Sequence, residues 1–296
     1  MAKRSALRNL ALAAAALLAA GGLGVTQTAP AQAARDALRV CADPNNLPFS
    51  NQQREGFENK IAELIAGDMG LSTEYTWFPQ RMGFIRNTLK AKTEGTDGRY
   101  KCDLVMGVSP DFEMGVATRP YYHSTYALVY VKGHGLDGVH SQQDLLNLPA
   151  DQLHKLRIGT FTNSPSVDWL LRHGLIDQTR FFQIMSGDPD YYPGKLVKEN
   201  LVSGDIDVAI LWGPIAGYFA SHEPEAPMAV IPMQNEAGIV FDFSISMGVR
   251  HGERAWKEQV EQLITRNRER IDAILASYQV PLLPEAPPRR GGGHDD

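Results

Sequence analysis

Two short apolar runs constrain this chain more than anything else in it: Asp103-Leu104-Val105-Met106-Gly107-Val108 and Asp207-Val208-Ala209-Ile210-Leu211. Each is too short for a buried helix and neither alternates with polar residues. Such runs are strands covered on both faces, as in a parallel sheet between helices. Each also ends a repeating pattern. Before the first, Leu38-Arg39-Val40-Cys41-Ala42 is β-prone and stops at the turn cluster Asp43-Pro44-Asn45-Asn46. A helix follows over 55–70, with Phe57, Ile61, Leu64, Ile65 and Met69 on one face and Gly70 as its stop. A strand at 74–78, a helix at 83–91 and a Gly-, Thr- and charge-rich surface excursion at 94–101 complete the set. Before the second run the logic recurs. A strand begins at Arg157-Ile158-Gly159-Thr160-Phe161, a helix spans 165–173, a strand 181–185 and a helix 194–203. Strand and helix alternating in this way build parallel α/β lobes with right-handed crossovers, here two of them. Strands at 126–132 and 243–249 connect the lobes, with a shorter β run at 230–232. Helices at 253–265 and 268–278 carry a core-facing stripe that includes Trp256, Val260, Ile271 and Leu275.

The chain's beginning reads as an export signal. Lys3, Arg4 and Arg8 precede an uncharged Ala/Leu run, and Ala31-Gln32-Ala33 offers a small-x-small cleavage pattern. A retained membrane anchor is the alternative, but the apolar run is short for a span. Cleavage after Ala33 takes the formal charge from −5 to −8, because residues 1–33 hold three basic residues and no acid. An acidic surface excludes a nucleic-acid binder and has little attraction to anionic lipid; it suits a basic patch on a protein partner. The two cysteines, Cys41 and Cys102, become a disulfide candidate in an oxidising compartment, or else two buried thiols. Closing that loop is worth about 4 kcal/mol in the chain-entropy model.

Motifs for chemistry are missing. No HExxH, Walker loop, GxSxG or GxGxxG is present, the eight histidines are scattered, and no metal or cofactor set emerges. Glu55, Glu58 and Glu63 read as the solvated face of the 55–70 helix. Asn163-Ser164-Pro165 reads as a helix cap before a first-turn proline, with anion binding as the sharper alternative.

Several strings carry a resemblance. "GVATRPYYHSTYALVYV" is similar to the first interlobe crossing of family-3 (amino-acid type) solute-binding proteins, and "LVSGDIDVAI" to a strand of their second lobe. Across the chain, "LRVCADPNNLPFSN", "GFENKIAELIA", "PQRMGFIRNTLKA", "CDLVMGV", "TRPYYHSTYALVY", "LWGPIAGYFA" and "IDAILASYQVPLLP" together resemble the MxaJ/XoxJ proteins. These are periplasmic binding proteins associated with pyrroloquinoline quinone (PQQ) dehydrogenases. The resemblance implies an α/β, two-lobed type II periplasmic binding protein. Its parts are a signal peptide (1–33), lobe 1 (34–131 and 236–283), lobe 2 (132–235) and a disordered tail (284–296). It implies a non-enzymatic accessory of a PQQ-dependent methanol dehydrogenase, itself without a cofactor. Two alternatives stand beside it: a transporter solute receptor and, among enzymes, a dehydratase on the same fold.

In amino-acid binders of this fold an arginine after the third strand holds the ligand's carboxylate, and an aspartate after the second-lobe strand holds its amino group. The matching stretches here are Ser109-Pro110-Asp111-Phe112-Glu113-Met114, without arginine, and Trp212-Gly213-Pro214. The nearest arginine is Arg119. The expected cleft, outside the carboxyl ends of the strands, is built from Asn45, Asn46, Leu47, Pro48 and Phe49; from Gly107, Val108 and Ser109; from Tyr121 on the crossing; and from Thr160, Phe161, Thr162, Asn163, Ser164 and Trp212 in the second lobe.

Overall fold

The structure, a computed structural model, describes residues 35–95, 98–186, 188 and 190–284. The expected export signal and almost all of the expected tail lie outside the described residues.

The first lobe opens with β1 (Ala37–Ala42), the small hairpin of β2 (Asn45–Asn46) and β3 (Ser50–Asn51), and α1 (Phe57–Asp68). β4 (Ser72–Trp77), α2 (Phe84–Asn87) and β5 (Leu104–Val108) follow. The long strand β6 (Val116–Val131) then crosses to the second lobe. There α3 (Gln142–Leu146), α4 (Ala150–Leu153), β7 (Ile158–Phe161), α5 (Pro165–Arg172) and β8 (Thr179–Phe182) precede a π-helical turn at Leu196–Leu201. β9 (Val208–Trp212), α6 (Gly213–Ser221) and β10 (Met228–Pro232) complete it. β11 (Asp242–Val249) returns, and α7 (Arg254–Arg266) and α8 (Arg268–Ser277) close the first lobe. Among the described residues no helix is long and apolar enough to cross a membrane.

The strands run in the order β4-β1-β5-β11-β6-β9-β7-β8, with β10 also on β6. At each end the pairing is parallel: β1 with β4 and β5, β7 with β8 and β9. In the middle β6 and β11 pair antiparallel. β6 spans both halves because its first part pairs with β11 while Tyr126–Val129 pair with β9. It therefore begins ten residues before the strand expected at 126–132.

Burial explains the two apolar runs. In β5, Leu104 and Met106 enter the core under α1, α7 and α8, while Val105 and Val108 pack with Cys41, Phe84 and Leu89 on the opposite face. In β9, Val208 and Ile210 pack with Trp169 and Phe241, while Ala209 and Leu211 pack with Phe161, Val197 and Ile215. With both faces covered, the period-two alternation of a half-exposed strand has no reason to appear.

Three expected elements differ. α2 is a single turn rather than a helix over 83–91. The helix expected at 194–203 is a six-residue π-helical turn. β8 ends at Phe182, and residues 183–186 leave the sheet, because from Phe161 onward β7 offers no partner beyond Phe182.

Cys41 and Cys102 form a disulfide, with Cα atoms 5.4 Å apart. β1 and β5 are neighbours, but the two cysteines are not cross-strand partners in that register. Cys41 is in register with Val105, three residues beyond Cys102. Thr76 of β4 donates to the Lys101 carbonyl, and the Asp103 amide donates to the Arg39 carbonyl. The segment before β5 therefore crosses the sheet near Cys41, and the disulfide pins it there. Arg250 fastens the same segment: its guanidinium donates to the Cys102 carbonyl and to Asp103 at 2.9 Å.

Candidate functional site

The carboxyl ends of β1, β5 and β9 converge on a cavity of about 340 Å³ between the lobes. Asp43, Pro44, Asn45 and Asn46 reach it from the turn after β1, Gly107 from β5, and Tyr122 and Tyr126 from the crossing strand β6. Trp212 and Ile215 reach it from the end of β9 and the start of α6. Ile184, Met185, Ser186, Asp188, Tyr191 and Pro193 come from the segment after β8.

The walls are aromatic. Tyr126 and Trp212 meet edge to face at 5.4 Å, and Phe243 packs on Trp212 at 6.1 Å. Phe49 adds its ring from the β3 turn, held by Phe57 at 5.3 Å. Burial pushes the Tyr126 phenol up to about 12 and the Tyr122 phenol well above its usual range, so both stay neutral.

Glu58 is the one carboxyl on α1 that faces this cavity. Its Oε1 accepts a hydrogen bond from the Tyr121 hydroxyl at 3.2 Å. Loss of water raises its pKa to about 7; the Tyr121 donor works against that rise and Asp43 adds to it. Gly107 makes room for this carboxyl. Its φ is +70°, and a Cβ there would lie 2.7 Å from Glu58 Oε1. Glycine is thus required twice, by conformation and by contact.

Of the residues expected in the cleft, Asn45, Asn46, Phe49, Gly107 and Trp212 line the cavity. Asn46 donates to Gln80 Oε1 at 3.0 Å, which fixes the turn against the cavity wall. Tyr121 is fully buried and acts on the cavity only through Glu58. Leu47 lies in a separate surface groove with Tyr192, Tyr218 and Phe219. Pro48 follows a cis peptide, and its carbonyl accepts from the Phe57 amide. Val108 is core, and Ser109 is exposed with its hydroxyl accepting from the Asp111 amide.

The stretch from Thr160 to Ser164 does not line the cavity. Thr160 donates its hydroxyl to the Ile210 carbonyl at 2.8 Å, Phe161 is core, and the Thr162 amide donates to Phe182. Asn163 is exposed at a positive φ. Ser164 is the N-cap residue before Pro165, but its hydroxyl donates back to the Phe161 carbonyl at 2.8 Å instead of accepting from the helix. Local bonding uses these polar groups, and the segment after β8 takes their place at the cavity.

Residues 109–114 bring no arginine, and Arg119 is held at α7, its backbone amide donating to Glu261 and its guanidinium to Thr265. The cavity does hold an arginine that the reading of the sequence missed: Arg81, from the loop after β4. Tyr122, Tyr126 and Glu58 were missed as well. Period two on the crossing strand puts Tyr122 and Tyr126 on one face. Helical spacing puts Glu58 in line with Ile61, Ala62 and Ile65, at i, i+3, i+4 and i+7, so a solvated face was the wrong reading for it. Among the described residues no group of three or more His, Cys, Asp or Glu is arranged to hold a metal.

Two α/β lobes, two antiparallel crossing strands and a cleft at the carboxyl ends of the parallel strands define a type II periplasmic binding protein. Comparisons place it more closely. No protein-family model matches the chain. The solved periplasmic binding protein XoxJ from Methylobacterium extorquens AM1 is 34% identical, over 84% of this chain and 100% of that one, with a TM-score of 0.66. Protein MoxJ of Paracoccus denitrificans is 28% identical over 90% of this chain and 96% of its own length. An ancestral cationic amino acid solute-binding protein shares the fold at 17% identity, covering 83% of this chain and 96% of its own, with a TM-score of 0.60. The chain belongs to the MxaJ/XoxJ family of periplasmic binding proteins.

Proposed function

We propose that the protein is a periplasmic accessory of a PQQ-dependent methanol dehydrogenase, and that its interlobe cleft takes a segment of that enzyme during maturation or activation. Membership of the MxaJ/XoxJ family supports the association with methanol oxidation, and the export signal supports the periplasm. The observation that carries the protein-segment reading is the cleft wall. It is dominated by Phe49, Tyr122, Tyr126, Trp212 and Ile215, and its second-lobe edge leaves Ile184 and Met185 exposed. An apolar wall with exposed hydrophobic residues at its edge is the pattern of a surface that docks a partner. The protein binds and does not convert. The lobe limits of 34–131 with 236–283, and of 132–235, belong to this proposal.

One observation favours the transport receptor instead: a cavity of about 340 Å³ is on the scale of small-molecule sites. Calorimetry against the twenty amino acids, beside a pull-down and activity assay with the cognate dehydrogenase, separates the two. The accessory reading expects capture of the dehydrogenase and no amino-acid binding. Micromolar binding of an amino acid, with no effect on the dehydrogenase, would establish the receptor.

A further inference from the structure

We propose that the cleft is a site for an alkylammonium or guanidinium group, held by the Glu58 carboxylate and packed against the rings of Tyr122, Tyr126 and Trp212. The inference rests on the cleft being the binding site, not on which partner fills it.

Three observations converge. Glu58 stands in the cavity wall, and the hydrogen bond that its carboxyl accepts comes from a neutral donor, the Tyr121 hydroxyl. Burial and the neighbouring Asp43 disfavour its ionised form, and the Tyr121 hydroxyl favours it. An ionised carboxylate withdrawn from water without a counter-ion is costly, and an incoming cation removes that cost. Second, the backbone is cut away beside it. Gly107 lets the Glu58 carboxyl sit at the end of β5 on the cavity wall, where a Cβ would lie 2.7 Å from Oε1. Third, the remaining walls suit a cation. Tyr122, Tyr126 and Trp212 line the same space, and aromatic faces attract ammonium and guanidinium groups most when water is excluded.

The groups around Glu58 set its response to pH. Asp43 faces it from the turn after β1, Tyr121 and Tyr122 from β6, and Arg81, Asp188 and Tyr191 line the cavity with it. The phenols of Tyr121 and Tyr122 are held well above their usual range and do not titrate near neutrality. Glu58, raised to about 7, does. A cation binds the ionised form, so affinity rises with pH. It should be about tenfold tighter at about pH 8 than at about pH 6, and binding at the lower pH should release close to one proton.

The test is calorimetry on the mature chain with n-butylammonium and ethylguanidinium, each beside a neutral isostere, n-butanol or ethylurea. The cations should bind at least about tenfold more tightly than the neutral compounds. Glu58→Gln should lower that affinity by a similar factor, while Glu63→Gln, on the exposed face of the same helix, should leave it unchanged. Heats in buffers of different ionisation enthalpy count the released proton in the unmodified protein, which keeps the test valid if Glu58→Gln folds poorly. A second arm uses peptides with one lysine or arginine against the same peptides with norleucine or citrulline. Selective binding of the basic peptides over the small amines points to a protein side chain, and the reverse to a free amine. Equal binding of cation and neutral isostere, unchanged affinity in a folded Glu58→Gln protein, or affinity flat with pH would overturn the inference. Capture of the dehydrogenase is a separate readout: its failure with cation binding intact refutes only the choice of partner.

Discussion

Replacing Glu58 with glutamine should change how stability depends on pH, and the structure sets the size of the change. In the unfolded chain Glu58 has the ordinary carboxyl pKa of 4.5, and in the fold about 7. Between those values the folded protein keeps a proton that the unfolded chain has released. Stability contributed by this group is therefore fully present below the unfolded value and declines as pH rises, until it is lost above the folded value. The full shift corresponds to about 3 kcal/mol. Because Glu58 borders an open cavity and is only partly buried, about 1–3 kcal/mol is the working range. Glutamine keeps an oxygen for the Tyr121 hydroxyl and cannot ionise. Urea unfolding of both proteins, followed by fluorescence of the four tryptophans, gives the comparison from about pH 4.5 to about pH 8. The glutamine protein should gain on the natural one by this amount across the interval. Using the difference removes every other titrating group from the comparison. A difference that stays constant with pH, or one that grows in favour of the natural protein, would refute the reasoning.

Other expectations follow from single contacts. Cys41→Ala with Cys102→Ala opens a loop of 61 residues and should cost about 4 kcal/mol, seen as a fall in melting temperature of roughly 10 °C; two free thiols in the denatured, unreduced protein would remove the premise. Gly107→Ala places a side chain at φ +70° against Glu58, should cost about 1–2 kcal/mol, and should abolish n-butylammonium binding in the same calorimetric assay. Tyr121→Phe removes the donor that favours the ionised form of Glu58, so the carboxyl pKa, followed by carbon NMR, should move further above 7, not towards the usual range.

Much of this molecule is written locally. The uninterrupted runs in β5 and β9 state that both faces of those strands are covered, and both are. The apolar stripe of Phe57, Ile61, Leu64 and Ile65 with its terminal Gly70 makes α1 from its own spacing. The cleft residues that were legible, Asn45, Asn46, Phe49, Gly107 and Trp212, stand at or just beyond the ends of strands, where this class of sheet puts its ligands. Only the tertiary structure decided the rest. Thr160 to Ser164 also follow a strand end, but the Thr160 and Ser164 hydroxyls are satisfied by the Ile210 and Phe161 carbonyls, and a segment leaving β8 fills the second-lobe wall instead. Cys102 meets Cys41 because the chain crosses the sheet before entering β5, a path that strand register does not reveal. Glu58 shows the limit most clearly. Its position on the helical wheel was readable, but whether that stripe met core, solvent or an open cleft depended on Gly107 of β5 and Tyr121 of β6, which lie 49 and 63 residues further along the chain. Periodicity reports which side of an element a residue occupies; what waits on that side is set by elements distant in sequence.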